Sequence, residues 1–286
     1  MEVGIGLPAT IPGVEPRQVL DWARRADAAG FSSLGTIDRV VYNNYEPLIA
    51  LAAAAAVTER IRLATSILIA PLRANGALLA KQAATVDHLS NGRLVLGVAV
   101  GGREDDYEAS GVDMHTRGRR FDQMLEQWQR IWGGEKFGFA GGIGPAPPKG
   151  RPTLIIGGQA DAAFERAAKY GDGWIIGGGA PDQFGQGLAK LEAAWRAAGR
   201  AGKPRTMALG YFALGDRARE AADRYLRDYY GFLGEFADRI ASSAATDVET
   251  VKRYVAGFSE AGCDELILFP ANPDPGQVDL LAAAVR

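Results

Sequence analysis

Residues 58–102 read TERIRLATSILIAPLRANGALLAKQAATVDHLSNGRLVLGVAVGG. Ile61 to Ile69 is an apolar run rich in β-branched residues, closed by Pro71. Leu78, Leu79, Gln82, Val86 and Leu89 then recur at the three- and four-residue steps of one helix face. Asn91-Gly92 ends that helix, and Leu94 to Val100 is a second continuous apolar run, stopping at Gly101-Gly102. Strand, helix and strand with no polar alternation means strands buried on both faces, hence a parallel sheet. Parallel α/β folds place their sites where such strands end.

The same unit repeats outward in both directions. Strands are predicted over 3–7, 33–37, 61–69, 94–100, 153–157, 173–177, 207–213 and 265–270. Helices are predicted over 16–29, 47–57, 76–89, 119–132, 161–170, 182–199, 217–230, 248–261 and 276–285. Three helix-to-strand junctions share a glycine, at Gly30, Gly171 and Gly262, each suited to a left-handed helix cap. Eight alternating strands at this length describe a (β/α)8 TIM barrel, with an open doubly wound sheet as the rival. Two segments exceed the minimal unit. Residues 133–151, GGEKFGFAGGIGPAPPKGR, read as an irregular insertion before the fifth strand. Residues 214–262 hold extra helix after the seventh, with Tyr225, Tyr229, Tyr230, Phe232 and Phe236 either roofing a site or facing the core. A single barrel domain spanning 1–286 is expected.

The bulk numbers narrow the function classes. The 286 residues are 47% hydrophobic and 23% charged, with a formal net charge of −2. No basic patch interleaved with aromatics points to nucleic acid, and no apolar segment is long enough to span a bilayer. The chain runs at once into Val3-Gly4-Ile5-Gly6-Leu7, without the features of a signal peptide, so a cytoplasmic location is expected. One cysteine, Cys263, and two histidines, His88 and His115, argue against disulfides and a zinc site.

The strand ends carry the chemistry. Ile175-Ile176-Gly177-Gly178-Gly179-Ala180-Pro181 runs a strand through glycines into a helix N-terminus, an anion site that needs no charged side chain. The alternative is a loop chosen only for its tight turn. Gly157-Gly158-Gln159 repeats the pattern more weakly.

With these motifs in order, the chain resembles the luciferase-like monooxygenase superfamily, whose barrels use FMN or the deazaflavin coenzyme F420. The most specific stretches are Ala54 to Arg73, Lys81 to Gly102 and Leu154 to Gly179, including Leu89-Ser90-Asn91-Gly92-Arg93-Leu94 and Leu154-Ile155-Ile156-Gly157-Gly158. The resemblance implies that Asp38 lines the cofactor ring and that Ser66-Ile67 stands where deazaflavin-using relatives carry, behind the ring, a bulge with a non-proline cis peptide. It further implies that Val100 and Gly101 give backbone contacts, and that Gly177 and Gly178 bind phosphate. Gly157, Gly158 and Gly179 complete the expected cofactor set. Relatives that dehydrogenate sugar phosphates carry His after the second-strand Asp, where this chain has Arg39, and an acid beyond the fourth-strand Gly, where it has Gly102. Bacterial luciferases also carry a histidine after the second strand. Alcohol oxidation and light emission are therefore disfavoured.

Arg39 and Tyr42 are the catalytic candidates. Arg39 would stabilise a developing oxyanion, or else sit on the rim paired with Asp38 or Glu46. Tyr42, Asn43, Asn44 and Tyr45 offer polar contacts, although the Asn pair also suits a hydrogen-bonded turn. Arg103-Glu104-Asp105-Asp106 reads as a solvated helix start, with Asp105 the member able to reach a cofactor. Arg117, Arg119 and Arg120 are expected to pair with those acids. His88 reads as structural, His115 as a loop residue able to titrate near neutrality, and Cys263 as a small buried residue. The leading function is an FMN-dependent monooxygenase acting on a small-molecule substrate, supplied by a separate flavin reductase and expected to form a homodimer. An F420-dependent hydride-transfer enzyme and a non-catalytic flavin-binding barrel stand as alternatives. No dinucleotide-fold NAD(P) fingerprint occurs.

Overall fold

The computed structural model describes residues 1–286. Eight parallel strands close into a barrel: β1 (Glu2–Gly6), β2 (Ser33–Thr36), β3 (Arg62–Ile69), β4 (Leu94–Ala99), β5 (Thr153–Gly157), β6 (Gly173–Ile176), β7 (Arg205–Phe212) and β8 (Glu265–Pro270). They neighbour one another in chain order, and β8 returns to β1, with Val3 opposite Leu266. The open-sheet rival is thereby excluded. Around the strands run α1 (Pro16–Ala29), α2 (Pro47–Ala55), α3 (Gly76–Leu89), α4 (Glu104–Ala109), α5 (Arg117–Trp132), α6 (Asp161–Tyr170) and α7 (Pro181–Ala197). α8 (Ala218–Tyr229), α9 (Phe236–Ser243), α10 (Val248–Glu260) and α11 (Gly276–Val285) complete them. β2, β4 and β8 are buried along their whole length, as continuous apolar runs between helices require.

Several local expectations change. The helix start read at Arg103 is α4, and α9 is an addition, so the segment after β7 holds α8, α9 and α10 rather than two helices. The insertion before β5 forms a two-stranded hairpin, with Lys136 opposite Gly142. On α3, Leu79 and Val86 are buried while Leu78 and Leu89 face outward, because alanines 80, 83 and 84 fill the inner face. Gly30 and Gly262 are left-handed, with φ of 82° and 87°, but Gly171 is not, with φ −92°. Space governs that third junction: a Cβ on Gly173 would stand 1.8 Å from the Arg205 carbonyl oxygen of the neighbouring strand.

Candidate active site

The predicted site residues lie at the carboxyl ends of successive strands. Asp38 follows β2, Ser66-Ile67 lies within β3, Val100-Gly101 follows β4, Gly157-Gly158 closes β5, and Gly177–Gly179 follows β6. In a closed parallel barrel these ends share one mouth. The Ser66–Ile67 peptide is cis, where the resemblance placed it. Register confirms a bulge: Thr65 pairs with Leu96 and Leu68 with Val98, so two β3 residues oppose Gly97. Ser66 is buried, and its Oγ has no hydrogen-bond partner.

Asp38 supports this strand from the side. Its carboxylate accepts the Ile69 N–H at 2.8 Å and takes both terminal nitrogens of Arg73, one at 3.1 Å. Arg73 also reaches Glu46 at 3.1 Å. Burial works against the charge on Arg73, but the Asp38 and Glu46 carboxylates hold its guanidinium above the usual range. The partner of Asp38 and Glu46 is therefore Arg73, not Arg39. With only 1% of its side chain exposed, the Asp38 carboxylate is committed to holding the end of β3. Arg73 escaped the sequence reading, although its place just after Pro71 at the end of β3 was a usable signal.

Arg39 turns beneath aromatic rings instead. It donates to the Tyr229 carbonyl at 2.7 Å, approaches Asp105 at 3.8 Å, and lies 4.4 Å and 5.2 Å from the Tyr42 and Tyr229 ring centroids. Burial, and next the like charge of Arg103, hold its guanidinium below the usual range. Tyr42 donates its hydroxyl to Asp228, and burial together with that carboxylate pushes the phenol above its ordinary value. Arg103 bridges Asp105 at 2.5 Å and Asp106 at 3.1 Å. Asp106 is buried because it also accepts the Val40 and Val41 N–H groups. The run from Arg103 to Asp106 is thus only partly a solvated helix start. Arg117 and Arg120 do not pair with it: Arg117 donates to the Met114 carbonyl, and Arg120 to those of Pro71, Arg73 and Ala74.

The tyrosines after β7 face the core. Tyr225 and Tyr229 are buried, and Tyr225 shares a 2.6 Å hydrogen bond with Thr10 beyond β1. Tyr211 and Tyr230 join hydroxyls at 2.6 Å, while Phe232 and Phe236 are exposed. The residues outside the mouth behave as structure. His88 bonds the Ala146 carbonyl, His115 is exposed, and burial pushes the Cys263 thiol up to about 12. No group of acidic, histidine and cysteine side chains could hold a metal ion.

The family model described as luciferase-like monooxygenase matches residues 1–262. The chain belongs to this family. An uncharacterized Mycobacterium tuberculosis protein is 34% identical over 208 residues, 62% of this chain and 71% of that one. The FMNH2-dependent dimethylsulfone monooxygenase of Pseudomonas fluorescens is 30% identical over 172 residues, 54% of this chain and 46% of that one. In fold, the chain is similar to an F420-dependent secondary alcohol dehydrogenase in complex with an F420–acetone adduct. That likeness has a TM-score of 0.81 at 21% identity, covering 100% of this chain and 99% of the other. A luciferase-like enzyme of this family is a flavin- or F420-dependent oxidoreductase, as the sequence led us to expect.

The mouth fits such a cofactor. Ser66 Oγ is a buried polar atom lacking a partner. Beyond β6, a Cβ added to Gly177 or Gly178 would meet nothing within 4 Å, so the loop's face is open where phosphate would approach. Gly178 has φ 88°, and Pro181 opens α7 directly behind it. Gly157 and Gly158 have a different setting: a Cβ on Gly157 would stand 2.8 Å from Ile67, and the Gly158 carbonyl accepts Trp174 Nε1 at 2.6 Å. Gly101, with φ 67°, packs on Ile69, and the Val100 carbonyl accepts the Tyr107 hydroxyl. No helix is long and apolar enough to cross a membrane.

Proposed function

We propose that residues 1–286 act as a single barrel domain that oxygenates a small organic molecule with molecular oxygen and reduced FMN, as a monooxygenase, one oxygen atom entering the substrate and the other leaving as water. The observation carrying this reading is the shared mouth, where a buried unpartnered Ser66 Oγ on β3 and an open Gly177-Gly178 face after β6 lie at the same end of the barrel. The β3 bulge would back the ring, and Gly177 to Gly179 would take the phosphate through backbone N–H groups. A reduced flavin bound there supplies electrons, and with oxygen an oxygenating group. Arg39 meets the negative charge that develops on the acceptor, the Tyr42 and Tyr229 rings keep its guanidinium in place, and the tyrosines after β7 exclude water.

The register shift in β3 also favours a second reading, hydride transfer with F420, because the resemblance places such a bulge in the deazaflavin branch. Titrating the apo-protein separately with FMN and F420 decides between them, followed by measuring oxygen uptake with the reduced form of whichever binds. Tight FMN binding with substrate-dependent oxygen uptake supports the first reading. Preference for F420 without oxygen uptake supports the second, and failure of both to bind removes both. A cytoplasmic location and a separate flavin reductase belong to the first reading. A homodimer is supported by the outward apolar face of α2 and α3, where Ile49, Leu78 and Leu89 are exposed.

A further inference from the structure

We propose that Arg39 and Arg103 form a subsite for the carboxylate of a small organic acid, which makes the substrate of this enzyme an organic anion. The inference rests on the mouth being the active site. The two guanidiniums reach it from the ends of β2 and β4, with 9% and 12% of their side chains exposed. Each keeps one nitrogen with no acceptor, Nε of Arg39 and Nη1 of Arg103. Both lie against the Phe232 ring, at 5.7 Å and 3.8 Å from its centroid.

Two like charges so close need negative charge between them. Asp106 cannot move to provide more, since its carboxylate already holds the Val40 and Val41 N–H groups. Asp105 reaches both arginines, at 3.8 Å and 2.5 Å, and is 42% exposed on the first turn of α4. Its carboxylate shows that a group of this shape and charge is accepted between the guanidiniums, and marks the contact that a substrate would share or displace. Guanidinium edges match carboxylate geometry, and those left unpartnered lie beneath a half-exposed ring on a short turn bounded by Gly231 and Gly234. Val40, Val41 and Phe232 are exposed beside them, so the anionic end has apolar surface next to it for an organic body.

Calorimetric titration with benzoate and with benzamide, its neutral isostere, tests this. Benzoate should bind at least tenfold more tightly than benzamide, and Arg103→Gln should abolish that preference. Asp105→Asn should strengthen benzoate binding several-fold, because it removes the competing carboxylate. Equal binding of the two probes, no binding of benzoate, or an unchanged preference in folded R103Q overturns the subsite. If R103Q does not fold, D105N decides, and unchanged or weakened benzoate binding counts against the proposal. FMN and F420 titrations on the same protein separate the two readings. Cofactor binding without benzoate preference sinks the subsite alone, whereas benzoate preference without binding of either cofactor sinks the flavin reading alone.

Discussion

At the start of the strands, Arg62 reaches Glu2 at 2.7 Å and Glu265 at 3.1 Å, and Arg205 reaches the same two at 2.7 Å and 2.6 Å. Ser32 and Ser33 add their hydroxyls to Glu265, which is fully buried. At the strand ends, the nearest carboxylate to Arg39 is 3.8 Å away, and aromatic faces supply most of its surroundings. Unpartnered nitrogens occur at both ends, including Nε of Arg62 and Arg205, so they do not distinguish the two. Charge balance does. Each cation of the lower ring touches two anions within hydrogen-bond reach, as Arg73 and Arg103 do at the mouth, while Arg39 alone has its charge only loosely met. A ring closed on itself stabilises the barrel, and a loosely met cation is available to a ligand.

The sharpest way to break this contrast is Glu265→Ala, which leaves two partly exposed arginines with Glu2 alone and removes the buried member of the network. Breaking a buried ionic network costs about 3–5 kcal/mol, read as a fall in urea-unfolding free energy. Affinity for the cofactor at the opposite end should not change. Burial opposes ionisation of Glu265, but the Ser32 and Ser33 hydroxyls and the two arginines hold its carboxyl below the ordinary value of 4.5. Its contribution is therefore present above that value and lost as pH falls through the lower folded-state value. The variant should lack this part of the acid-induced loss of stability. A mutant as stable as the parent would mean that the ring is not what holds this end.

At the mouth, Arg39→Ala should lower turnover by roughly a hundredfold, on the scale of losing one donor to transition-state charge, while cofactor affinity changes far less. Equal losses in both would make Arg39 a cofactor anchor. Unaltered kinetics would make it a rim residue and leave the two ends alike.

Gly178→Val adds a branched side chain, at φ 88°, on the open face of the loop proposed to bind phosphate. Cofactor affinity should fall at least tenfold, about 1.4 kcal/mol. A folded variant with unchanged affinity would return that loop to a purely structural role.

What the sequence showed, and what it hid, follows the same division. β3, α3 and β4 were legible because strands buried on both faces must be continuously apolar, and the glycine loop after β6 because tight turns need particular residues. Arg73 and Arg103 were hidden in their roles because each acts on distant chain: Arg73 on Asp38, 35 residues earlier, and Asp106 beside Arg103 on Val40, 66 residues earlier. Composition does not say which member of Arg103-Glu104-Asp105-Asp106 turns inward; that is set by unpaired N–H groups from another loop. α9 was hidden because it is only eight residues long and buries just the small Ala237 and Ala241, leaving Phe236 exposed.

The smallest expected effect separates the ring of Tyr42 from its hydroxyl. That hydroxyl donates to Asp228 at the exposed edge of α8, and burial followed by the Asp228 carboxylate raises its pKa, so it stays neutral and bound near pH 7. A group held this way is expected to act through its ring and not to carry a proton to the substrate. Tyr42→Phe keeps the face that lies 4.4 Å from Arg39 and loses one hydrogen bond, so stability should fall by no more than about 1 kcal/mol. Turnover should stay within about twofold, since the change touches neither the charge nor the position of Arg39. Tyr42→Leu removes the face as well, and should shift turnover in the direction of Arg39→Ala by an amount on the order of a cation–π contact, ~1 kcal/mol. If the phenylalanine variant lost as much activity as the leucine variant, the hydroxyl itself would take part in the chemistry, and Tyr42 would act at the mouth as a hydrogen-bond donor rather than as a support for Arg39.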